Sequence, residues 1–194
     1  GNGYSWAVDG TKKVATVGDE NYPTLQSALN ASSESAYAKL VSSVVKNNTI
    51  SAITINNGKK AFLDLNGKTL TITGLGGVYS SISNGSLTIT NSQTTGGITC
   101  SGANVFDMKG STDPTAAEYS VLTIDKSVKV TQENGNYFAF VNSPLDKNNN
   151  DLDNKYGIVV NFNGTYNGTV PFSIHGALLK RENNDNAPKF NIGA

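Results

Sequence analysis

The stretch that decides the fold is AFLDLNGKTLTIT, residues 61–73. Aliphatic residues recur at every second position, at 61, 63 and 65 and again at 70 and 72, which is the two-residue period of strands with one buried face. Asn66-Gly67 stands between the two runs and is a turn pair, because Asn and Gly tolerate a left-handed backbone. The stretch therefore predicts two short strands that meet at a tight corner.

The same pattern, an apolar, a polar and an apolar residue closed by a turn-forming residue, recurs along the chain. Its copies begin, at intervals of 24, 35, 38 and 30 residues, at Leu63, Leu87, Leu122, Val160 and Phe190. Most copies lead through a short turn into a second strand, predicted at 70–73, 98–100, 128–131 and 170–174. A repeat of this length indicates coils that stack on one another and share an elongated core. An antiparallel sandwich is the alternative, but the short strands and constant phase favour stacking.

Before the repeats, the hydrophobic period is 3.6 residues instead of 2, as in an α-helix. Thr24 is a candidate N-cap for a short helix whose apolar face holds Leu25, Ala28 and Leu29. A second helix is predicted over residues 34–46, with an apolar stripe made of Tyr37, Leu40, Val41, Val44 and Val45. Because an open end of stacked coils exposes unpaired backbone, we expect the two helices to cap it.

These patterns predict an all-β fold, a single-stranded right-handed parallel β-helix with an N-terminal capping helix pair. Residues 1–48 would form the N-terminal strand and helical cap, and residues 49–194 the coils of one continuous domain. The ending Ile192-Gly193-Ala194 is typical of the first half of a further coil, so we expect the domain to be truncated there. We expect the module to be a monomer.

Composition narrows the function classes. Asn, Ser, Thr and Gly supply 83 of the 194 residues, which suits many short strands and turns. The formal net charge is zero and Arg181 is the only arginine, so no basic stripe is present and nucleic-acid binding is not expected. No apolar run is long enough to insert in a membrane. The single cysteine, Cys100, alternates with Ile98 and is predicted to be a buried, inert thiol.

Three segments carry a resemblance to a known family: YPTLQSAL at 22–29, AFLDLNGKTL at 61–70 and SLTIT at 86–90. In this order they resemble the pectate-lyase-like β-helix modules on surface proteins of gut Firmicutes and related bacteria. The resemblance covers residues 22 to 100, and residues 101–154 match only as generic coils. It implies an exported module, at the cell surface or secreted, with adhesion or glycan binding and no active site that carries over.

An enzyme on this fold would need clustered carboxylates or a positioned base along one groove. The candidate carboxylates are Asp64, Asp107 and Asp125, with Lys109 or Lys129 beside them. Asp64 and Asp125 are more simply read as strand and corner residues. We therefore predict no catalytic residues, with a polysaccharide lyase or hydrolase as the alternative.

Two other residues, Arg181 and His175, are candidates for catalytic groups. Arg181 lies in a polar segment and is interpreted as solvated rather than as a base. His175 is the only histidine, which rules out a multi-histidine metal site, and it is interpreted as structural or exposed.

The most oxygen-rich segment is DKNNNDLDN, residues 146–154. Ca²⁺ prefers carboxylate and carbonyl oxygens in a flexible loop. The candidate ligands are Asp146, Asn148, Asn150, Asp151 and Asp153. The EF-hand pattern is incomplete, because Asp151 stands where Gly is needed and Gly157 where the bidentate Glu should be. We expect a solvated loop, no metal and no cofactor, with a Ca²⁺ site as the alternative.

Sugar binding requires aromatic rings presented on a groove. The candidate rings are scattered, with no spacing that forces them to one face: Trp6, Tyr79, Tyr119, Tyr137, Tyr156 and Tyr166. The sequence therefore leaves the ligand-binding residues unassigned. It favours a non-catalytic extracellular module that binds a polysaccharide or a host or cell-surface protein, with a purely structural stalk as a further alternative.

Overall fold

A computed structural model describes residues 13–47, 52–74, 80–102, 105–109, 120–135, 138–143, 158–168, 172–176 and 189–193. These residues are mostly β structure with one helix. In chain order the elements are β1 (Ala15–Val17), β2 (Glu20–Tyr22), α1 (Leu25–Ala31), β3 (Ala38–Leu40), β4 (Val44–Asn47), β5 (Thr54–Asn56), β6 (Lys60–Asp64), β7 (Thr69–Gly74), β8 (Ser80–Ser83), β9 (Ser86–Thr90), β10 (Gly97–Gly102), β11 (Phe106–Lys109), β12 (Ser120–Ile124), β13 (Lys129–Gly135), β14 (Ala139–Ser143), β15 (Ile158–Phe162), β16 (Thr165–Asn167), β17 (Phe172–Gly176) and β18 (Lys189–Ile192).

The strands form three sheets. Sheet 1 has the order β18-β15-β12-β9-β6-β3-β1-β2, sheet 2 the order β16-β13-β10-β7-β4 and sheet 3 the order β17-β14-β11-β8-β5. From β3 onward each strand pairs in parallel with the strand three places further along the chain. Three consecutive strands, one in each sheet, therefore make one round. β1 lies antiparallel to β2 and β3 at one end of sheet 1.

The core consists of the alternate side chains that point away from solvent. In sheet 1 one inward column runs through residues that are at most 4% exposed, namely Leu63, Ile89, Ile124 and Phe162. The next residue in this column, Ile192 in β18, is 70% exposed. Each buried member covers the next, and Ile192 has no described strand beyond it.

The strand register corrects the repeat in one place. Leu87 pairs with Ala61, not with Leu63, so the first interval is 26 residues and not 24. The later pairs Leu87–Leu122, Leu122–Val160 and Val160–Phe190 confirm the predicted intervals of 35, 38 and 30. The predicted first copy is two residues late because only Leu63-Asp64-Leu65 fits the apolar–polar–apolar pattern, whereas the outward residue between the buried Ala61 and Leu63 is the apolar Phe62.

The corner between sheets 1 and 2 is built by side-chain acceptors. Asp64 Oδ1 accepts from the backbone N–H of Asn66 at 2.8 Å and of Ser92 at 2.9 Å. Asn66 has a φ of 48° and donates its amide to Leu40 O at 2.9 Å. Asp125 repeats the turn, since its Oδ2 accepts from Ser127 N at 3.0 Å. The left-handed residues of this corner are thus Asn66 and Gly67, whereas the carboxylates at the ends of the strands hold the backbone two residues on.

The predicted first helix is confirmed as α1. Thr24 Oγ1 caps it by accepting from Ser27 N at 3.1 Å, and Leu25, Ala28 and Leu29 are buried. Gln26 pairs with the backbone of Thr54 in β5 through both amide atoms, at 2.8 and 2.9 Å. This side chain therefore satisfies backbone groups at the outer edge of sheet 3, the role that we expected of a cap.

The predicted second helix over residues 34–46 is wrong, because this segment forms β3 and β4. Leu40 is buried, but Val41 and Val45 are 37% and 70% exposed, so the predicted stripe does not share one buried face. The β-branched valines favour strands, and pairing of β3 with β6 and of β4 with β7 satisfies the backbone. The helix pair therefore reduces to one helix. The boundary at residue 48 stays a prediction, although β3 and β4 already belong to the parallel sheets.

Candidate functional site

An aromatic pair lies on the outer face of sheet 1, on the side that points away from the core. Tyr37 immediately precedes Ala38, which pairs with Leu63, so Tyr37 stands opposite Phe62. The ring centroids are 5.1 Å apart and the planes are tilted by 47°. Both side chains are partly exposed. We call Tyr37 and Phe62 the ring pair.

The local sequence explains why Phe62 faces outward. Ala61 and Leu63 are fully buried, so alternation places Phe62 on the opposite face of β6. Its backbone N–H donates to Ser32 Oγ at 2.9 Å, and Ser32 Oγ donates in turn to Leu29 O at 2.7 Å. This bond ties the segment after α1 to the edge of β6 and brings Tyr37 beside Phe62.

A first cleft opens on one side of the ring pair. It has a volume of about 400 Å³ and is lined by Thr16, Gly18, Ser35, Ala36, Tyr37, Lys39 and Asp64. The lining therefore combines one ring face, hydroxyl groups, an exposed ammonium group and a carboxylate. Pyranose sugars present C–H faces to rings and hydroxyls to polar groups, so this mixture suits them.

Asp64 is the most constrained polar group of the first cleft. Its side chain is 6% exposed, and both of its hydrogen bonds from backbone N–H groups reach Oδ1. Among the described residues, no hydrogen bond reaches Oδ2. The carboxylate is therefore fixed in orientation while one oxygen keeps its acceptor capacity.

A second cleft, also of about 400 Å³, borders the other ring of the pair, Phe62. It is lined by Ser32, Ser33, Glu34, Gly58, Lys59, Lys60 and Phe62. Lys59 Nζ donates to Ser32 O at 2.9 Å, which holds one wall of the cleft. Lys60 and Glu34 are exposed and contribute one charge of each sign.

Beyond the ring pair, the outer face of sheet 1 continues as a column of uncharged polar side chains. In register with Phe62 follow Thr88, Thr123, Asn161 and Asn191, one in each round. We call these four residues the polar strip. Asn191 Nδ2 donates to Asn161 Oδ1 at 2.7 Å, and Asn161 Nδ2 donates to Thr123 Oγ1 at 3.2 Å.

The three candidate carboxylates of the enzyme hypothesis do not converge on one groove. Asp64 and Asp125 lie at the corner of sheets 1 and 2, whereas Asp107 lies in β11 of sheet 3. The hydrogen bond from the Ser127 hydroxyl, at 2.6 Å, lowers the pKa of Asp125. A general acid needs a raised pKa, so this shift has the wrong direction for that role.

Asp107 is a buried carboxyl on the outer face of sheet 3. Burial raises its pKa, and the ammonium of Lys109, at 3.4 Å from Oδ2, opposes this shift without cancelling it. Its Oδ1 is buried and has no hydrogen-bond partner among the described residues. Asp107 and Lys109, two of the groups that the enzyme alternative requires, thus lie together, whereas Lys129 lies in β13 of another sheet.

The aromatic candidates from the sequence do not form a platform in the described part of the chain. Tyr166 lies in register with the buried Val130 and packs edge-on against Phe162, with centroids 6.2 Å apart. Its hydroxyl donates to Gln132 Oε1 at 3.2 Å, and burial raises its pKa. The other five candidates lie outside the described residues, namely Trp6, Tyr79, Tyr119, Tyr137 and Tyr156.

Several further candidate site residues lie outside the part of the chain whose side chains the structure describes. The Ca²⁺ ligand candidates Asp146, Asn148, Asn150, Asp151 and Asp153 lie outside the described residues, as does Arg181. His175 belongs to β17, where only the backbone is described. Within the described ranges there is no group of three or more His, Cys, Asp and Glu side chains. Cys100 is buried as predicted, and burial raises its pKa to about 12.

The sequence does not predict the ring pair, because Tyr37 falls in the helix predicted over residues 34–46 and Phe62 in the apolar strand predicted over residues 61–65. The available signal was the alternation in Lys60-Ala61-Phe62-Leu63-Asp64, which puts Phe62 between two outward charged residues.

In comparisons with known proteins, no family model, curated protein or solved structure matches the chain. Among the described residues, no helix is long and apolar enough to cross a membrane.

Proposed function

We propose that the chain is a right-handed parallel β-helix that serves as a non-catalytic, extracellular glycan-binding module of a bacterial surface protein. The rotation of consecutive strands through three parallel sheets supports the β-helix. The resemblance of residues 22–100 to surface modules supports the location. The observation that carries the binding function is the ring pair, each ring of which lines a cleft of about 400 Å³.

The proposed recognition uses stacking and directional hydrogen bonds. A sugar ring would lie on the exposed parts of Tyr37 and Phe62, which supply apolar contact without losing much side-chain entropy. Asp64 Oδ2 would accept from a sugar hydroxyl, and Lys39 would donate to a ring or hydroxyl oxygen. The Asp64 carboxylate needs no reorganisation to do this, because two backbone N–H groups already hold it.

A glycan array followed by calorimetry on the best ligand tests this proposal. Phe62→Thr places at position 62 the residue type found in the same column at Thr88 and Thr123, so the strand pattern is retained. We expect this variant and Tyr37→Ala to weaken binding by about tenfold or more, as loss of one stacked ring does. Thr131→Ala, on sheet 2, is the matched control and should bind normally.

Two results would contradict the proposal. Binding that is unchanged in both ring-pair variants would place the ligand elsewhere. Release of unsaturated or reducing sugar ends from a polysaccharide would show an enzyme, and the first groups to substitute would then be Asp107 and Lys109.

The extracellular location has its own test. An antiserum against the module should label intact cells of the producing bacterium, and labelling only after lysis would contradict an extracellular role.

A further inference from the structure

We infer that the ligand is a linear, uncharged polysaccharide that lies along the direction in which the rounds follow one another, from the ring pair across the polar strip. This inference rests on the proposed glycan-binding function and adds to it the length, direction and charge of the ligand. It uses the outer face of sheet 1 and no residue of the inward core.

The geometry matches a chain rather than a single sugar. Six outward side chains follow one another along sheet 1, one for each successive strand. Tyr37 stands just before β3, Phe62 lies in β6, and the polar strip supplies one residue each from β9, β12, β15 and β18. Five steps of about 4.8 Å between neighbouring strands give a length of roughly 24 Å. One pyranose of an extended chain advances by a distance close to one strand spacing, so successive sugars meet successive rounds.

The polar strip is organised before any ligand arrives. Asn161 donates to Thr123 and accepts from Asn191, at 3.2 and 2.7 Å, so its amide orientation is fixed by neighbours on both sides. A primary amide has two N–H hydrogens, and each of these bonds uses one of them. Among the described residues nothing accepts the remaining hydrogen of either amide, so it can meet a ligand oxygen, and little rotamer entropy is left to lose on binding.

The charges along this face favour an uncharged ligand. The polar strip contains no ionisable side chain. On its flank, at the corner with sheet 2, stand Asp64 and Asp125, and hydrogen bonding from Ser127 keeps Asp125 ionised. A uronate polymer would bring carboxylates toward these two aspartates, which lie two rounds apart, and this costs free energy at short range. Among the described residues, cationic residues lie at both ends of this face, Lys39 and Lys60 beside the ring pair and Lys189 in β18. Lys126 also follows Asp125 at the corner, whereas the polar strip itself is uncharged.

A terminal sugar bound only at the ring pair is the competing account of the same site. It predicts an affinity that is independent of ligand length. A linear chain predicts an affinity that rises with each added sugar until the strip is filled. Length dependence therefore separates the two without any knowledge of the natural ligand.

The test is calorimetry with β-1,4-linked glucose, mannose and xylose oligomers from dimer to hexamer, and with galacturonate oligomers of the same lengths. For at least one neutral series, we expect affinity to rise by about tenfold or more from dimer to hexamer. Asn161→Ala should flatten this rise, and Phe62→Thr should weaken the binding of every length. Thr131→Ala should behave as the unmodified chain, and equal melting temperatures will show that the variants are folded.

The outcomes separate this inference from the proposed function. Equal affinity for dimer and hexamer, or tighter binding of galacturonate than of every neutral series, would overturn the linear uncharged ligand while leaving glycan binding at the ring pair intact. A length dependence that survives Asn161→Ala would also overturn it, because the chain would then run elsewhere. If no oligomer binds and the glycan array is silent, both the inference and the proposed function fail.

Discussion

Replacing Ile124 with alanine is the sharpest test of how the rounds cover one another. Ile124 is fully buried, and its neighbours in the inward column are Ile89 on one side and Phe162 on the other. Removing a buried isoleucine to alanine costs the transfer free energy of the lost methyl groups plus a cavity term, about 2–5 kcal/mol together. Ile192 continues the same column but is 70% exposed, so Ile192→Ala should cost less than about 0.5 kcal/mol.

The measurement is urea unfolding followed by far-ultraviolet circular dichroism, with a thermal scan beside it. In a chain of this size each kcal/mol shifts the melting temperature by about 2–4 °C, so Ile124→Ala should melt roughly 4–20 °C lower. Val121→Ala is the matched control, because Val121 is in the same strand but is partly exposed on the outer face. We expect a smaller loss of stability from this control than from Ile124→Ala.

Two outcomes would refute this reasoning. Equal losses from Ile124→Ala and Ile192→Ala would mean that the two residues are equally covered. A larger loss from Val121→Ala than from Ile124→Ala would mean that the faces are reversed, as a shift of one residue in register would produce.

Three further predictions follow from single residues. Gly96→Ala should destabilise the fold more than Gly18→Ala in urea unfolding. Both glycines have a positive φ, where a side chain costs about 1–2 kcal/mol, but only at Gly96 would the new Cβ clash with backbone, namely with Lys68 O. Equal losses would show that the contact relaxes. Because hydrogen bonding lowers the pKa of Asp125 below 3.8, its carboxylate stabilises the fold above that pH, and this contribution is lost as the pH falls through the folded-state pKa. The stability difference between the unmodified chain and Asp125→Asn should therefore shrink on acidification, and a difference that grows would contradict it. Cys100 should resist thiol reagents at pH 8 and react in denaturant, because burial raises its pKa to about 12; fast labelling of the native chain would refute its burial.

The sequence alone predicts the strands in which apolar and polar residues alternate and which are followed by a turn-forming residue. The copies at Leu87, Leu122, Val160 and Phe190 all lie in strands of sheet 1, with the predicted spacing. This works because burial of alternate side chains imposes a strict period of two, which is visible without knowing the partner strand.

The third sheet was largely missed, for a physical reason. Its strand β8 reads Ser-Ser-Ile-Ser and offers one apolar residue, so pairing with neighbouring strands rather than local pattern makes it a strand. The second strand of this round, predicted at residues 170–174, overlaps β17 of sheet 3. The strand that this round contributes to sheet 2 is instead β16 (Thr165–Asn167). The ring pair was missed for a similar reason, because its two residues are 25 positions apart and only the register brings them together.

The unequal spacing of the paired residues in sheet 1 has a consequence for how such a domain can change over evolution. Between residues that stand next to each other in neighbouring strands, the chain uses 26, 35, 38 or 30 residues, yet the side chains remain in register. Extra residues are therefore absorbed in the connections and do not propagate to the next strand. Insertions there cost mainly loop-closure entropy, which grows slowly with length. The same connections are sites where foreign peptides could be grafted for display on an unchanged scaffold.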